Sequence, residues 1–518
     1  MVRWLLILLP GLLVALPFAV RPRPAPTPTT QIVIITPHGE AIRAEFGSAF
    51  AAWAKRELHQ DIGIDWRTPG GTGDIVKYLD SRYTEALAKA HPELSDKQLK
   101  LFNDPAIADP ARTIFLASNL DIGIDIFFGG GEFQHRQQAN KGYLVDAGLL
   151  RSHPEWFKPE IIPPMLTGER MFDPAGRYYG ACLAVFGLAD NFQRLRDLVG
   201  DPPPQLNWRL LGDPRLFGAT VTADATKSGA TVTACERILQ SEIVAACADP
   251  DHPTAAELER GWIAGWSLLR RMCANAGWVA DGTSRAVRAV ARGEAALGMC
   301  LDFHARAEAE WSQIASGTAR LGFVIPPTGT SISADPISLL RGAPHRELAI
   351  AFMRFVLSPE GQRLWNYRPG EPGGPRRYAL RRQAIRTDVY TATDRQHMSD
   401  PDIDPFAAAT GLLYRPALTG PAFNLIAPLA RAVIFDPRDE VTEAWRAICD
   451  AGGPTAVPEA MAAFERLPVR YADIAAALKS VRISKDTSAT AALSVLRHWS
   501  LDSITQNQEA TQLAREHR

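Results

Sequence analysis

The chain has 518 residues, 46% of them hydrophobic and 22% charged, which is apolar material for two or three packed domains and excludes a disordered or fibrous protein. Its 56 Lys and Arg offset 57 Asp and Glu, so no bulk charge draws it to nucleic acid or another large polyanion, and charge recognition has to be local. Six cysteines without a C-x-x-C pair fit neither a disulfide scaffold nor a zinc ribbon or redox dithiol.

Met1-Val2-Arg3 is followed by an apolar run over residues 4–20, interrupted by Pro10 and Pro17 and closed by Arg21 and Arg23, the layout of an export signal. The run sits at the short end of what spans a bilayer, roughly 17 to 25 residues, so an uncleaved anchor competes with a cleaved signal. The first cysteine is Cys182, far from any lipoprotein processing site. Residues 21–30 alternate proline with small polar residues and form an extended spacer of roughly 3 Å per residue. Residues 1–30 are therefore expected to be a signal peptide or membrane anchor with a Pro-rich spacer, and the chain to reside in the periplasm or cell envelope.

Beyond the spacer, strand and helix signals alternate. Residues 31–36 are β-branched and lead into a helix through Leu58, with Ile42, Phe46, Phe50 and Trp53 at helical spacing. Residues 62–68 read as a strand, Pro69-Gly70-Gly71-Thr72-Gly73 as a turn, and Ile75, Val76 and Leu79 as the apolar face of a second helix. A strand at 122–128, Gly129-Gly130-Gly131 and a polar helix from Glu132 repeat the unit. Three strand-loop-helix units in succession imply a parallel sheet with right-handed crossovers. The same grammar returns with a strand at 218–222, a loop at 226–231 opening a helix through Leu239, helices at 255–273 and 284–292, and a strand at 296–303 feeding a helix from His304. Residues 178–188 and 322–333 are extended and apolar, as crossings between two lobes would be. Helices are predicted over 345–357 and 359–365. Past Arg386 the pattern weakens, with helices at 459–465 and 472–478 and a polar, fraying tail from about Ser484.

A set of motifs then carries a resemblance. Ile34-Ile35-Thr36-Pro37-His38-Gly39-Glu40-Ala41-Ile42, Glu45-Phe46-Gly47 and Trp66-Arg67-Thr68-Pro69-Gly70-Gly71-Thr72 are followed in order by Phe128-Gly129-Gly130-Gly131, Thr226-Lys227-Ser228-Gly229 and Gly293-Glu294-Ala295-Ala296. Phe355-Val356-Leu357-Ser358-Pro359-Glu360-Gly361-Gln362 is the most specific block. Together they resemble the extracellular solute-binding proteins of ABC importers, in the type II branch that handles ferric iron, phosphonates and sugar phosphates. The resemblance spans roughly residues 31–370 and leaves the carboxy-terminal part uncovered. It implies an α/β, two-lobe periplasmic-binding-protein fold, each lobe a mostly parallel sheet flanked by helices, closing on a solute. Lobe one is expected at 31–184, lobe two at 185–325, a return to lobe one at 326–390 and a mainly helical extension at 391–518. The implied role is non-enzymatic and needs no cofactor. The implied partners are a small polar or anionic solute or a metal ion, ABC permease subunits, and a membrane only through an uncleaved amino terminus.

In open α/β sheets the loops after strand carboxyl ends line the crevice, and helix amino termini present unpaired N–H groups there. Five loops carry suitable residues: Thr36, His38 and Glu40; Gly71 and Thr72; Gly130 and Gly131; Thr226, Ser228, Gly229 and Thr231; and Asp302 with His304. Glycine lets backbone approach a ligand, while Thr and Ser add hydroxyls. For each the competing reading is ordinary helix capping. The resemblance places His38 where ferric-iron members hold a histidine ligand, and Asp302 and His304 where they hold a tyrosine pair. No tyrosine stands there, which weakens ferric iron and leaves a divalent metal or polar solute open. An envelope enzyme using His38, Glu40 and Asp302 as acid and base groups, or a membrane-tethered sensor, is the alternative. Against the enzyme, no G-x-S-x-G elbow or H-E-x-x-H pair occurs. Tyr178 and Tyr179 are read as core or cleft wall. Arg376, Arg377, Arg381, Arg382 and Arg386 are read as a solvated helix face. Asp400, Asp402 and Asp404 make no calcium loop, because Pro401 and Pro405 intrude and no Glu closes it.

Overall fold

The computed structural model describes residues 30–203, 205–409, 413–482 and 488–517. The amino-terminal segment with its export reading lies outside the described residues.

β1 (Thr30–Ile35) pairs in parallel with β2 (Ile62–Arg67) and β3 (Ile126–Phe128), with α1 (Glu40–Glu57) and α2 (Thr72–Ala90) as the connections. Phe46, Phe50 and Trp53 of α1 are buried at the expected spacing, as are Ile75 and Leu79 of α2. β3 is shorter than the apolar run predicts. Ile122 and Ile124 are buried, but Gly123 sits at φ 72° with its N–H bonded to Asp121, which breaks the extended backbone. α3 (Glu132–Lys141) follows β3, and β4 (Leu144–Val145) and the hairpin β5 (Met165–Leu166) and β6 (Glu169–Arg170) come next.

Every one of the 13 residues of β7 (Tyr179–Asn191) is buried, and this strand belongs to both lobes. Its first half pairs antiparallel with β12 (Ile332–Leu340), and its second half with β10 (Leu297–Leu301) and β11 (Leu321–Val324). The second lobe adds β8 (Thr220–Ala223) and β9 (Ala276–Ala280), parallel to each other and to β10, with helices α4 (Gly229–Ala246), α5 (Ala255–Asn275), α6 (Thr283–Ala291) and α7 (Asp302–Ser316). The strand order β2-β1-β3-β12-β7-β10-β8-β9 therefore reads as two mostly parallel sheets joined through one shared strand. This is the two-lobe type II periplasmic-binding-protein fold. The chain returns to the first sheet through β12, then α8 (Arg346–Leu357), α9 (Pro359–Asn366) and β13 (Gln383–Ala384), which pairs with β7.

An aromatic cluster of Phe46, Phe50, Trp53, Phe128, Phe352, Phe355 and Trp365 fills the first lobe. The second lobe is built around Trp262, Trp266, Leu239 and Leu269, and the carboxy-terminal part completes that core with Phe423, Ile426 and Leu429 from α10 (Phe423–Ala430). Residues Pro416–Phe435 have the length and apolar character of a membrane span, yet most of that stretch is buried inside the protein. α11 (Arg438–Asp450), α12 (Pro458–Glu465) and α13 (Ala489–Glu516) pack together through Trp445, Phe464, Ala510 and Ala514. The expected fraying tail is thus a 28-residue helix, because a small-residue stripe on an otherwise polar sequence docks against α11 and α12.

One side-chain expectation is also corrected. The arginine run forms no helix and is only partly solvated: Arg376 and Arg377 are exposed, whereas Arg381, Arg382 and Arg386 are buried and ion-paired to Asp400, Asp335 and Asp388. All six cysteines are free thiols, four of them buried.

Candidate functional site

Between the lobes lies a cavity of about 320 Å³, at the lower end of the ligand-pocket range and suited to a small solute. Five helices turn their first residues toward it: α1 at Gly39, α2 at Thr72, α3 at Gly131 to Gln134, α4 at Gly229 and Ala230, and α7 at Phe303 and His304. Gly39, Gly131 and Leu301, which precede α1, α3 and α7, make no side-chain cap to the N–H groups of those first turns. Close backbone approach shapes the α3 corner. Gly130 adopts φ 108°, and a Cβ there would stand 2.6 Å from the Thr72 methyl.

A buried carboxylate organises the first-lobe side. Asp335, on β12, accepts from the Gly130 N–H at 2.6 Å, pairs with His38 Nε2 at 3.0 Å and is bonded by Arg382. Burial alone would raise its carboxyl, but Arg382, with His38 adding, holds it well below the usual carboxylate range. Burial lowers the His38 imidazole against the pull of Asp335. His304 is pushed down to about 3 by burial, with Arg382 and Arg288 adding. The Arg382 guanidinium also reaches Cys182 Sγ at 3.0 Å and lies 4.4 Å over the Phe303 ring, while its Nε has no partner.

A second buried network stands on the other side. Arg237 of α4 donates to Ser331 Oγ at 2.7 Å, to Glu236 at 2.5 Å and to Glu169, which sits on β6 in the first lobe. Burial raises the Glu169 carboxyl, and Arg237 and Ser331 only partly offset that. Tyr414 donates to Glu236 at 2.7 Å and lies under the Arg237 guanidinium at 3.6 Å. Glu132 accepts from the Tyr178 hydroxyl at 2.6 Å and pairs with Arg136. Four carboxylates thus face three guanidinium groups around the cavity, each already partnered, and Phe133, Phe186, Phe303 and Phe423 supply apolar wall. Such a lining offers N–H donors to an anionic end, acceptors to hydroxyls and rings to an apolar face.

Of the residues singled out from sequence, His38, Thr72, Gly130, Gly131, Gly229 and His304 line the cavity. The others are held nearby without lining it. The Thr36 hydroxyl accepts the His38 N–H, Glu40 and Gly71 are exposed, and the Thr226 hydroxyl is bonded to Asp224. Ser228 caps α4 by accepting from the Thr231 N–H, and the Thr231 hydroxyl is buried without a partner. Asp302 pairs with Arg306 and accepts from the Val185 N–H at 3.3 Å, so it braces the shared strand. His38 therefore finds its carboxylate in Asp335, not in Glu40 or Asp302. Among the described residues no group of three or more His, Cys, Asp or Glu side chains is placed to hold a metal ion. Asp335, Arg237, Glu236, Glu169, Arg382 and Tyr414 escaped sequence reasoning. The one signal available was a lone carboxylate inside the apolar run of β12, which burial makes costly unless it is partnered.

Residues 209–367 match the family described as bacterial extracellular solute-binding protein. Over 244 residues, 46% of this chain, the sequence is 27% identical to a Haemophilus influenzae protein described as uncharacterized, covering 60% of it. Over 231 residues, 45% of this chain, it is 23% identical to the phosphoglycerate transport regulatory protein PgtC of Salmonella typhimurium, covering 48% of it. The chain thus spans about half to three-fifths of the length of these curated relatives. Among solved structures, the periplasmic binding protein AfuA of Actinobacillus pleuropneumoniae, described with exogenous fructose-6-phosphate bound, superposes with a TM-score of 0.43 at 20% identity, covering 65% of this chain and 81% of that one.

Proposed function

From a chain that contains a bacterial extracellular solute-binding domain, we propose an exported binding protein that captures a small anionic solute, of the phosphorylated polyol class, and presents it to an ABC permease without chemical turnover. The observation that carries this reading is the convergence of five helix starts, with His38, Asp335 and Arg382 among them, on one cavity between two hinged lobes. Each helix end is worth about 0.3 to 1 kcal/mol toward an anion, and up to about 2 when partly buried. At up to about 1 kcal/mol each, five ends fall short of the roughly 8 kcal/mol of a micromolar complex, and only at the limit of about 2 do they reach it, so side chains supply the specificity and most of the remainder. The partnered carboxylates and the phenylalanine walls suit a hydroxyl-bearing carbon skeleton, and about 320 Å³ accommodates one the size of a sugar phosphate. The Salmonella relative, named for phosphoglycerate transport, points to the same chemical class. Closure of the lobes on the solute converts binding into a shape that a permease reads.

The test is thermal unfolding of purified protein against inorganic phosphate, glycerol 3-phosphate, 3-phosphoglycerate, fructose 6-phosphate and neutral fructose. A ligand bound only by the folded state stabilises by RT ln(1 + [L]/Kd), about 2.7 kcal/mol at a hundredfold excess over Kd. The expected result is stabilisation by phosphate esters, none by fructose, and recovery of each ester unchanged. His38→Ala is expected to weaken ester binding about tenfold while leaving unfolding of the free protein cooperative. Stabilisation by fructose alone, or conversion of an ester, would overturn the proposal.

A further inference from the structure

The carboxy-terminal part is not a neighbour of the cavity but one of its walls. The Tyr414 N–H donates to the Thr167 carbonyl at 2.8 Å, on the β5–β6 turn of the first lobe, while its hydroxyl donates to Glu236 of α4 in the second. The Arg415 N–H donates to Gln240 Oε1 at 2.6 Å, and the Gln240 amide returns bonds to the Arg415 carbonyl and the Thr419 hydroxyl. Thr419 in turn donates to Glu236 at 2.9 Å. Phe423 stacks on Phe133, in the first turn of α3, with ring centroids 3.9 Å apart. Gly168, at φ 79°, makes the close passage feasible, because a Cβ there would stand 2.0 Å from the Tyr414 carbonyl oxygen. Both Tyr414 and Phe423 line the cavity. The segment therefore touches the first lobe at Thr167 and Phe133, the second lobe at Glu236, Arg237 and Gln240, and the cavity between them.

We propose that this carboxy-terminal segment selects the solute: Tyr414 positions Glu236 and Arg237, Phe423 and Phe133 close the apolar side, and together they receive the hydroxyl-bearing end of a ligand whose anionic end meets the helix starts. The inference rests on the phosphorylated-polyol reading for the identity of the ligand, but not for the geometry of the wall. The acceptors at this wall are Glu236 and Glu169, already polarised by Arg237, and the ring faces lie beside them. That combination recognises a carbon skeleton with hydroxyls and has nothing to add for a bare anion. The same segment ties the two lobes through Thr167 and Phe133 on one side and Glu236 and Gln240 on the other, so its loss also loosens the closed form.

Isothermal titration with fructose 6-phosphate and with inorganic phosphate separates the two ends of the ligand. Tyr414→Phe removes the hydroxyl and keeps the ring; Phe423→Leu keeps apolar volume in the core and removes the stack on Phe133. Each is expected to lower the ratio of fructose 6-phosphate to phosphate affinity by about fivefold or more, with phosphate affinity held within about twofold. An unchanged ratio in both variants, with circular dichroism matching the parent, overturns the proposal. If the parent binds neither probe, the reading of the preceding section has failed, and small-angle scattering of unliganded protein then decides this one. A larger radius of gyration in the Tyr414→Phe, Phe423→Leu double variant supports the wall, and an unchanged radius overturns it.

Discussion

Asp335 shows how one buried charge is made affordable and useful. It joins His38, Gly130 and Arg382 from three separate stretches of chain, and among the described residues Arg382 pairs with no other carboxylate. Asp335→Asn leaves the guanidinium buried without its counter-charge, a change that costs about 3 to 5 kcal/mol in comparable pairs. Urea unfolding is expected to show that loss, and a loss below about 1 kcal/mol would mean the pair does not hold the site together. Because its folded pKa is depressed, Asp335 contributes stability above the unfolded carboxylate value near 3.9, and that contribution fades as pH falls below it. The histidines act at higher pH. Burial pushes His135 down to about 4 and His304 to about 3, with Arg382 and Arg288 adding to the latter, and it lowers His38 as well. Their unfolded forms take protons below about 6.5 while the folded forms do not, so stability falls as pH drops from about 6.5 toward 4. The slope is up to about 1.4 kcal/mol per pH unit per histidine, and His135→Gln is expected to flatten it. A flat stability profile from pH 6.5 to 4.5 in the parent protein would refute this. The histidines that line the cavity were legible in the sequence because they follow predicted strands at helix starts. Arg237 and Glu236 were not, because inside an amphipathic helix nothing in residue type separates a buried ion pair from a solvated one. Arg382 hid in a run whose charge density suggested exposure.

At the scale of elements, the parallel units were readable wherever an apolar strand, a glycine turn and a periodic helix followed one another, as in β1 to α1 and β8 to α4. Readability failed where small polar or glycine residues changed the backbone. Asp121 and Gly123 cut β3 short. The hairpin at 165–170 and the turn containing Gly168 gave no periodic signal, yet they bring Glu169 and the Tyr414 segment together. Glycine identity at these corners can be tested against position alone. Gly130→Ala forces a Cβ to 2.6 Å from the Thr72 methyl at φ 108°, a strain of about 1 to 3 kcal/mol that also displaces the Asp335 contact. Gly39→Ala, at φ −67° with nothing within 4 Å of the new Cβ, is expected to cost less than about 1 kcal/mol. Equal destabilisation of the two variants in thermal unfolding would show that the α3 corner is not under the constraint described.

At the scale of the molecule, the division into two lobes and an extension understates how they are built. The fold class was legible because long apolar stretches marked the crossing between lobes, and the helical character of the extension was legible too, with the helices at 459–465 and 472–478 found at 458–465 and 474–481; what was not legible is that they complete a core made elsewhere. Phe423, Ile426, Leu429 and Val433 lie in the same cluster as Trp262, Trp266 and Leu239 of the second lobe. The larger of the second lobe's two cores is therefore closed only with the extension, while the smaller one, around Val221, Val287 and Val290, is its own. Ending the chain after residue 409 removes α10 to α13 and exposes both tryptophans, and at about 1.5 to 3 kcal/mol for each large apolar side chain returned to water the loss exceeds the 5 to 15 kcal/mol by which a domain is ordinarily stable. The first lobe keeps its separate aromatic cluster around Phe50 and Trp365 and is expected to survive. Calorimetry of the truncated protein is thus expected to show one small cooperative transition instead of the larger heat of the full chain, together with strong binding of a hydrophobic dye at low temperature. A truncated protein that loses only a small part of the full chain's unfolding heat and binds no dye would show that the second lobe folds alone, and the extension would then be an added domain instead of half of a shared core.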